Sequence, residues 1–204
     1  MQCTPFLLSR SKRLCVFDMT VIYHLRVTLE DTKPPIWRDI LVPSQLNLED
    51  LHHVIQTAMG WQNTHLHQFI ANQQLYGIND DEINHYENDE RDYTIAELLS
   101  DPKKWIRYEY DFGDSWLHKI ELKTILPANE QNKKIRCIKG KRACPPEDCG
   151  GIWGYNDLLE NLAHANLEEK REIYSWLGED FDPEYFNIKQ INESLQRLKL
   201  SYMA

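Results

Sequence analysis

From Val21 to Glu30 apolar and polar side chains alternate, with Val21, Tyr23, Leu25, Val27 and Leu29 on one side, and nothing else in the chain narrows its possible folds so far. A repeat of two puts those five residues on one face of a pleated strand and commits them to a core beneath it. Pro34 and Pro35 break the strand, and Trp37 to Val42 reads as a second, ended by Pro43. The period then changes. Leu48, Leu51, Val54, Ile55 and Ala58 recur at helical spacing, behind Asn47 as N-cap and ahead of Gly60 as stop. His65 to Tyr76 returns to strand character. The order strand, strand, helix, strand predicts an α+β protein with a mixed sheet and a β-grasp-like N-terminal half.

Beyond this half, Gly77 to Asp92 is acidic and almost free of core residues, which predicts an exposed loop; it lacks the spacing of a calcium-binding EF-hand loop. Thr94 with Glu97 forms a capping box for a short helix through Leu99. Trp105 to Phe112 and Ser115 to Leu126 read as two strands of a central hairpin turning at Gly113-Asp114. The C-terminal part is helical. One stripe holds Tyr155, Leu158, Leu159 and Leu162, a second helix runs from an Asn166 cap to Leu177, and a third follows the Asn187/Gln190 pair with Ile188, Ile191, Leu195 and Leu198 buried. Residues 19–204 are expected to form one domain. Residues 1–18 read as a disordered tail or an upstream start extension, with Met1 and Met19 as alternative starts.

The 204 residues carry a formal charge of -9, which averages to a field that repels nucleic acid and anionic membranes. A nucleic-acid role would therefore need a local basic patch. No apolar run approaches the roughly 18–20 residues that span a bilayer. Five cysteines, an odd number, do not make a secreted disulfide framework, so a reducing cytoplasm is the expected setting.

Chemistry-bearing residues concentrate between Tyr108 and Tyr155. With Gly113 and Asp114 as the only loop residues, Asp111 would pair with Trp116 and Glu109 with His118, giving a carboxylate beside an imidazole as in general bases and metal sites. The bland alternative is a surface ion pair. His65 and His67, flanking Leu66 in a strand, would leave the same face about 6–7 Å apart and could grip one metal; the adjacent His52 and His53 diverge by about 100° and could not. Cys144 and Cys149 enclose Pro-Pro-Glu-Asp ahead of Gly150-Gly151, which is either half of a tetrahedral zinc site or a stiff clasp of two partly buried thiols. Lys133, Lys134, Arg136, Lys139, Lys141 and Arg142 supply six cations and no acid between 133 and 142, in a pattern that suits a basic hairpin turning near Gly140. Phosphate-cradling glycine loops, dinucleotide fingerprints and nucleophile elbows are absent from the sequence.

The motifs WRDILVP, LEDLHHVIQTAMGW, HLHQF, YEYDFGDSWLHKI, ACPPEDCGGIWGY and FDPEYF, in this order, resemble the plasmid pRiA4b Orf-3-like family from about Val21 to Leu198. Members of that family often carry a resolvase-like, transposon-passenger label and have no established activity. The resemblance implies a mixed α and β fold in which His65, His67, Asp111, Asp114, Trp116, His118 and the Cys144 to Gly151 loop belong to the pattern. Recombinase chemistry does not fit, because Ser9 and Ser11 fall in the tail and no basic C-terminal module follows.

Three functions are therefore expected. The first is a mobile-element-associated binding or accessory module with a polar pocket from Asp114, Trp116, Asp148, Gly150, Gly151 and Tyr155. The second is a metal-dependent hydrolase, with a divalent ion such as zinc held among His65, His67, His118, Cys144 and Cys149, and with Glu109, Asp111, His118 and Glu147 as catalytic candidates. The third is a DNA-binding accessory protein acting through the 133–142 basic segment. Partner identity and oligomeric state are not readable.

Overall fold

The computed structural model describes residues 21–79, 86–177 and 181–201. The tail expected at 1–18 lies outside these residues. Eight strands form one sheet: β1 (Val21–Leu29), β2 (Ile36–Pro43), β3 (His67–Ala71), β4 (Gln74–Gly77), β5 (Asn88–Asp89), β6 (Trp105–Tyr110), β7 (Trp116–Pro127) and β8 (Arg136–Lys141). Their spatial order is β5-β4-β3-β6-β7-β1-β2-β8, antiparallel throughout except for the β4/β5 pair. The helices are α1 (Leu48–Met59), α2 (Ile95–Leu98), α3 (Gly151–His164), α4 (Leu167–Leu177) and α5 (Ile188–Leu195). The expected α+β class and the strand-strand-helix start are both present.

The period-two pattern does what it predicts. Leu25, Val27 and Leu29 of β1, Ile40 and Val42 of β2, and Ile120 and Leu122 of β7 turn to one face and are buried. They pack with Leu51, Val54 and Ile55 of α1, Tyr155 and Leu158 of α3 and Leu195 of α5, each such side chain contributing about 1.5–3 kcal/mol. The caps also form as read. The Asn47 side chain accepts from the Asp50 N–H, Thr94 and Glu97 close a capping box, and the Asn187 side chain accepts from the Lys189 and Gln190 N–H groups.

Four expectations are corrected. His65 to Tyr76 is two strands, because Asn72 and Gln73 take left-handed conformations (φ 50 and 65) and reverse the chain. Residues 133–142 form no hairpin: β8 is a single edge strand on β2, with Gly140 opposite Arg38 inside it. Of the acidic segment, residues 80–85 lie outside the described residues, and Glu90 is buried rather than in solvent, at 0% exposure. The hairpin loop holds five residues, 111–115, with Asp111 and Ser115 left-handed (φ 58 and 52), so His118 pairs with Tyr108 rather than Glu109. A slip of one residue transfers every side chain to the other sheet face.

Two polar devices fix the β8 edge. Arg38, 2% exposed, donates to four backbone carbonyls: Ala58 at the end of α1 (2.8 Å), Trp37 (2.9 Å), Lys141 (3.0 Å) and Arg142 (2.8 Å). The Asn192 amide of α5 accepts from the Cys137 N–H (2.8 Å) and donates to the Cys137 carbonyl (2.9 Å), taking the place of a further strand.

Candidate functional site

Three loops meet beyond one end of the strands: 60–66 between α1 and β3, 111–115 between β6 and β7, and 144–150 ahead of α3. Backbone hydrogen bonds hold them together. The Gln62 N–H donates to Glu147 Oε1 (2.7 Å), the Thr64 N–H to Tyr110 Oη (3.0 Å), and the Asp111 N–H to the Leu66 carbonyl (2.8 Å). The Tyr110 hydroxyl donates to the Glu147 carboxylate (3.2 and 3.3 Å), and burial raises its pKa, keeping it protonated. The Gly150 N–H donates to Asp114 Oδ2 (3.2 Å). Gly151, at φ 65, lies so close to the Asp114 carbonyl that a Cβ there would sit 2.5 Å from its oxygen. The glycine pair thus locks the cysteine loop onto the hairpin loop.

His65 stands at the junction. Its Nε2 is buried with no hydrogen-bond partner, yet carboxylate oxygens from both other loops surround it: Asp148 Oδ1 at 3.3 Å, Glu147 Oε2 at 3.7 Å and Asp111 Oδ2 at 3.8 Å. Ligand atoms of His65, Asp111 and Asp148 all lie within 4.8 Å of one another, a spacing that can hold a metal ion. Asp111 (φ 58) and Asp148 (φ 53) both adopt the sparsely populated left-handed backbone. Such strain persists where surrounding structure over-determines it, as at binding sites.

The expected ligands divide between this junction and the interior. His67 does not share a face with His65, because β3 begins only at His67; its Nε2 lies 3.0 Å from both Glu90 oxygens and its ring stacks on His52 (centroids 3.5 Å apart). His118 is fully buried. Its Nδ1 lies 2.9 Å from the Trp116 carbonyl and its Nε2 accepts from Trp61 Nε1 (3.3 Å), while burial lowers its pKa to about 4. A carbonyl accepts only, so Nδ1 carries the proton and the ring is committed to structure. Glu109 points to the opposite face, accepting from Gln68 (2.7 Å) and Ser115 (2.7 Å). Among the described residues, His67, His118, Cys144 and Cys149 join no group of metal-ligand spacing. Burial raises the Cys144 thiol well above its ordinary range and pushes Cys149 up to about 12, which disfavours thiolate ligands. Trp116 and Tyr155, expected to line a pocket, belong to the core. Of the basic segment, Lys133, Lys134, Lys139 and Lys141 are exposed, Arg136 is half-buried, and Arg142 is buried and pairs with Glu184 (2.7 Å).

The loop bearing His65 rests on a chain the sequence reading missed. Gln56 donates to Tyr108 Oη (2.8 Å), Tyr108 Oη lies 2.8 Å from His52 Nδ1, and His52 Nε2 lies 2.7 Å from Asn63 Oδ1. Because Asn63 Oδ1 accepts, His52 is protonated on Nε2 and accepts a hydrogen bond from the Tyr108 hydroxyl on Nδ1. Burial, reinforced by His67, lowers the His52 pKa to about 2, matching a neutral ring. The available signal was His52 and Gln56 at a spacing of four within an apolar stripe. Outside the junction a groove of about 610 Å³ runs between Gln62, Cys144 and Glu147 on one side and Phe181, Tyr185 and Phe186 on the other. Glu147 and Gln62 border both.

Residues 21–190 match the family described as plasmid pRiA4b ORF-3-like protein. The chain is 35% identical over 179 residues to the uncharacterized protein y4hQ of Sinorhizobium fredii, covering 87% of this chain and 92% of that one. It is also similar to the crystal structure of MM3350, a protein of unknown function from Methanosarcina mazei Go1. The TM-score is 0.74 with 38% identity, covering 84% of this chain and 97% of the other.

Proposed function

The chain belongs to the plasmid pRiA4b ORF-3-like family, and from the geometry of its loop junction we propose that it is a divalent-metal-dependent hydrolase centred on His65, Asp111 and Asp148, with Glu147 as proton acceptor. The observation that carries this reading is the buried, unpartnered Nε2 of His65 among three carboxylate oxygens at 3.3–3.8 Å. Two ligands each about 2.1 Å from one ion sit about 3.0–3.5 Å apart. Asp148 Oδ1 already stands 3.3 Å from His65 Nε2 and Asp111 Oδ2 3.8 Å, and drawing the whole set together from within 4.8 Å asks for side-chain shifts on the order of an ångström. One imidazole with two carboxylates suits manganese, iron(II) or zinc better than calcium. Such an ion lowers the pKa of bound water towards neutrality. Glu147, oriented by Gln62 and Tyr110 and facing both junction and groove, stands where it can take that proton from a substrate-side water.

Equilibrium dialysis of metal-stripped protein against Mn²⁺ or Zn²⁺ should give one bound equivalent. His65→Ala and Asp111→Asn should each weaken binding at least tenfold without unfolding the chain. Glu147→Gln should retain the metal and reduce hydrolysis of chromogenic p-nitrophenyl esters by about 10²-fold or more. Less than a tenth of an equivalent on the wild type, or binding indifferent to His65→Ala, would overturn the centre.

A further inference from the structure

The described helices all pack on one face of the sheet; the side chains on the other face are those that alternate with the core residues. Strand register assembles on this outer face a line that no stretch of sequence contains. Arg107 of β6 pairs with Lys119 of β7, Lys119 with Thr28 of β1, Thr28 with Trp37 of β2, and Trp37 with Lys141 of β8. The line crosses five strands, roughly 19 Å at about 4.8 Å per strand, and holds three cations, one indole and no carboxylate. At its β6 end Trp105 is 48% exposed, with the Arg107 guanidinium 5.4 Å and the Lys119 ammonium 5.5 Å from its ring centroid. At the other end the Arg26 guanidinium lies 4.2 Å over Trp37, with the Lys139 ammonium 5.9 Å away.

We propose that this face binds single-stranded nucleic acid, its backbone following the Arg107, Lys119, Lys141 line and a base stacking on the exposed indole of Trp105 at the β6 end. Cations in line with one exposed aromatic platform, Trp105, beside a half-buried indole, Trp37, that Arg26 covers, answer both chemistries of an unpaired strand, charged phosphates and free base faces. The acids on this face are paired, two of them with the line's own cations: Glu30 with Arg107 (3.3 Å), and Glu121 with Lys119 (3.6 Å) and Lys123 (2.9 Å). Asp39 holds Arg26 in a two-bond pair (2.7 and 2.8 Å), and Glu109 accepts from Gln68 and Ser115. A phosphate would compete with Glu30 and Glu121 for the line. The formal charge of -9 belongs to the whole chain, whereas a bound strand meets the local field within about 10 Å. A duplex offers no exposed base faces for Trp105.

Fluorescence anisotropy of the full chain with labelled 12-nucleotide RNA and DNA single strands, a matched duplex and anionic vesicles tests this directly. Running it in EDTA separates it from the metal centre. Binding to the single strands is expected on the order of 10 µM at 50 mM KCl, weakening with a log-log salt slope of about -2 for three phosphate contacts. Lys119→Glu with Lys141→Glu should weaken it more than tenfold, and Trp105→Ala about tenfold, while Trp105→Phe keeps most of it. Urea midpoints are measured alongside to confirm that each variant is folded. No anisotropy change at 200 µM protein, affinity unchanged in the folded charge-reversal variant, tighter binding to the duplex, or binding to vesicles alone would each overturn the proposal.

Discussion

At the scale of single residues, the histidines are sorted by what encloses them. His65 keeps an unpartnered nitrogen among acids, whereas His118 and His52 are sealed in as neutral rings. That sealing has a measurable sign. The folded pKa of His118 lies near 4 against an ordinary 6.5, so between those values the unfolded chain binds the extra proton. Stability therefore falls as pH drops from about 6.5 towards 4, by up to roughly 3 kcal/mol for this ring. Replacing it tests the point: His118→Gln should be less stable than wild type at pH 7.5, and the gap in urea midpoint should narrow as pH falls to 4.5. A constant gap would show that protonation plays no part. None of this sorting could be read from residue types. His118 was expected beside Glu109 because Asp111 and Ser115 carry no mark of the left-handed backbone that lengthens the loop and shifts the register. Glu90 sits in an acidic run and meets His67 only after folding, through a separation of 23 residues.

At the scale of elements, sequence and structure agree where the physics is local. Alternation in β1, the stripe in α1 and the caps at Asn47, Thr94 and Asn187 each depend on neighbours within four residues, and each forms as read. The turn between β3 and β4 went unread because Asn72-Gln73 is a weak turn signal beside Asn-Gly. The cysteine loop was legible as a glycine-hinged clasp, but its counterpart, the Asp114 carbonyl, was not. Gly151→Ala should cost roughly 1–3 kcal/mol in denaturant unfolding, since the added Cβ meets that oxygen at 2.5 Å in a left-handed backbone. The same variant should weaken metal binding, because the clasp carries Glu147 and Asp148 to His65. Unchanged affinity in a folded Gly151→Ala protein would show that the loop holds its position without the clasp.

At the scale of the whole molecule, the core face, the loop junction and the outer sheet face are consequences of one strand order, and only the first was foreseeable. A core needs periodicity alone; a line such as Arg107, Lys119, Trp37 and Lys141 needs the register of five strands at once. No helix among the described residues is long and apolar enough to cross a membrane. Among the described residues, the sheet ends at the β8 edge on Asn192 rather than on another strand. Asn192→Ala should lower stability by about 1–3 kcal/mol by stranding the Cys137 N–H and carbonyl, and sedimentation should then reveal concentration-dependent association absent from the wild type. A variant that sediments as the wild type at every concentration would count against that role. In polymer terms the Asn192 carboxamide occupies the place of a chain stopper: at the β8 edge one side chain imitates a peptide unit, meeting the Cys137 N–H and carbonyl that a further strand would otherwise pair.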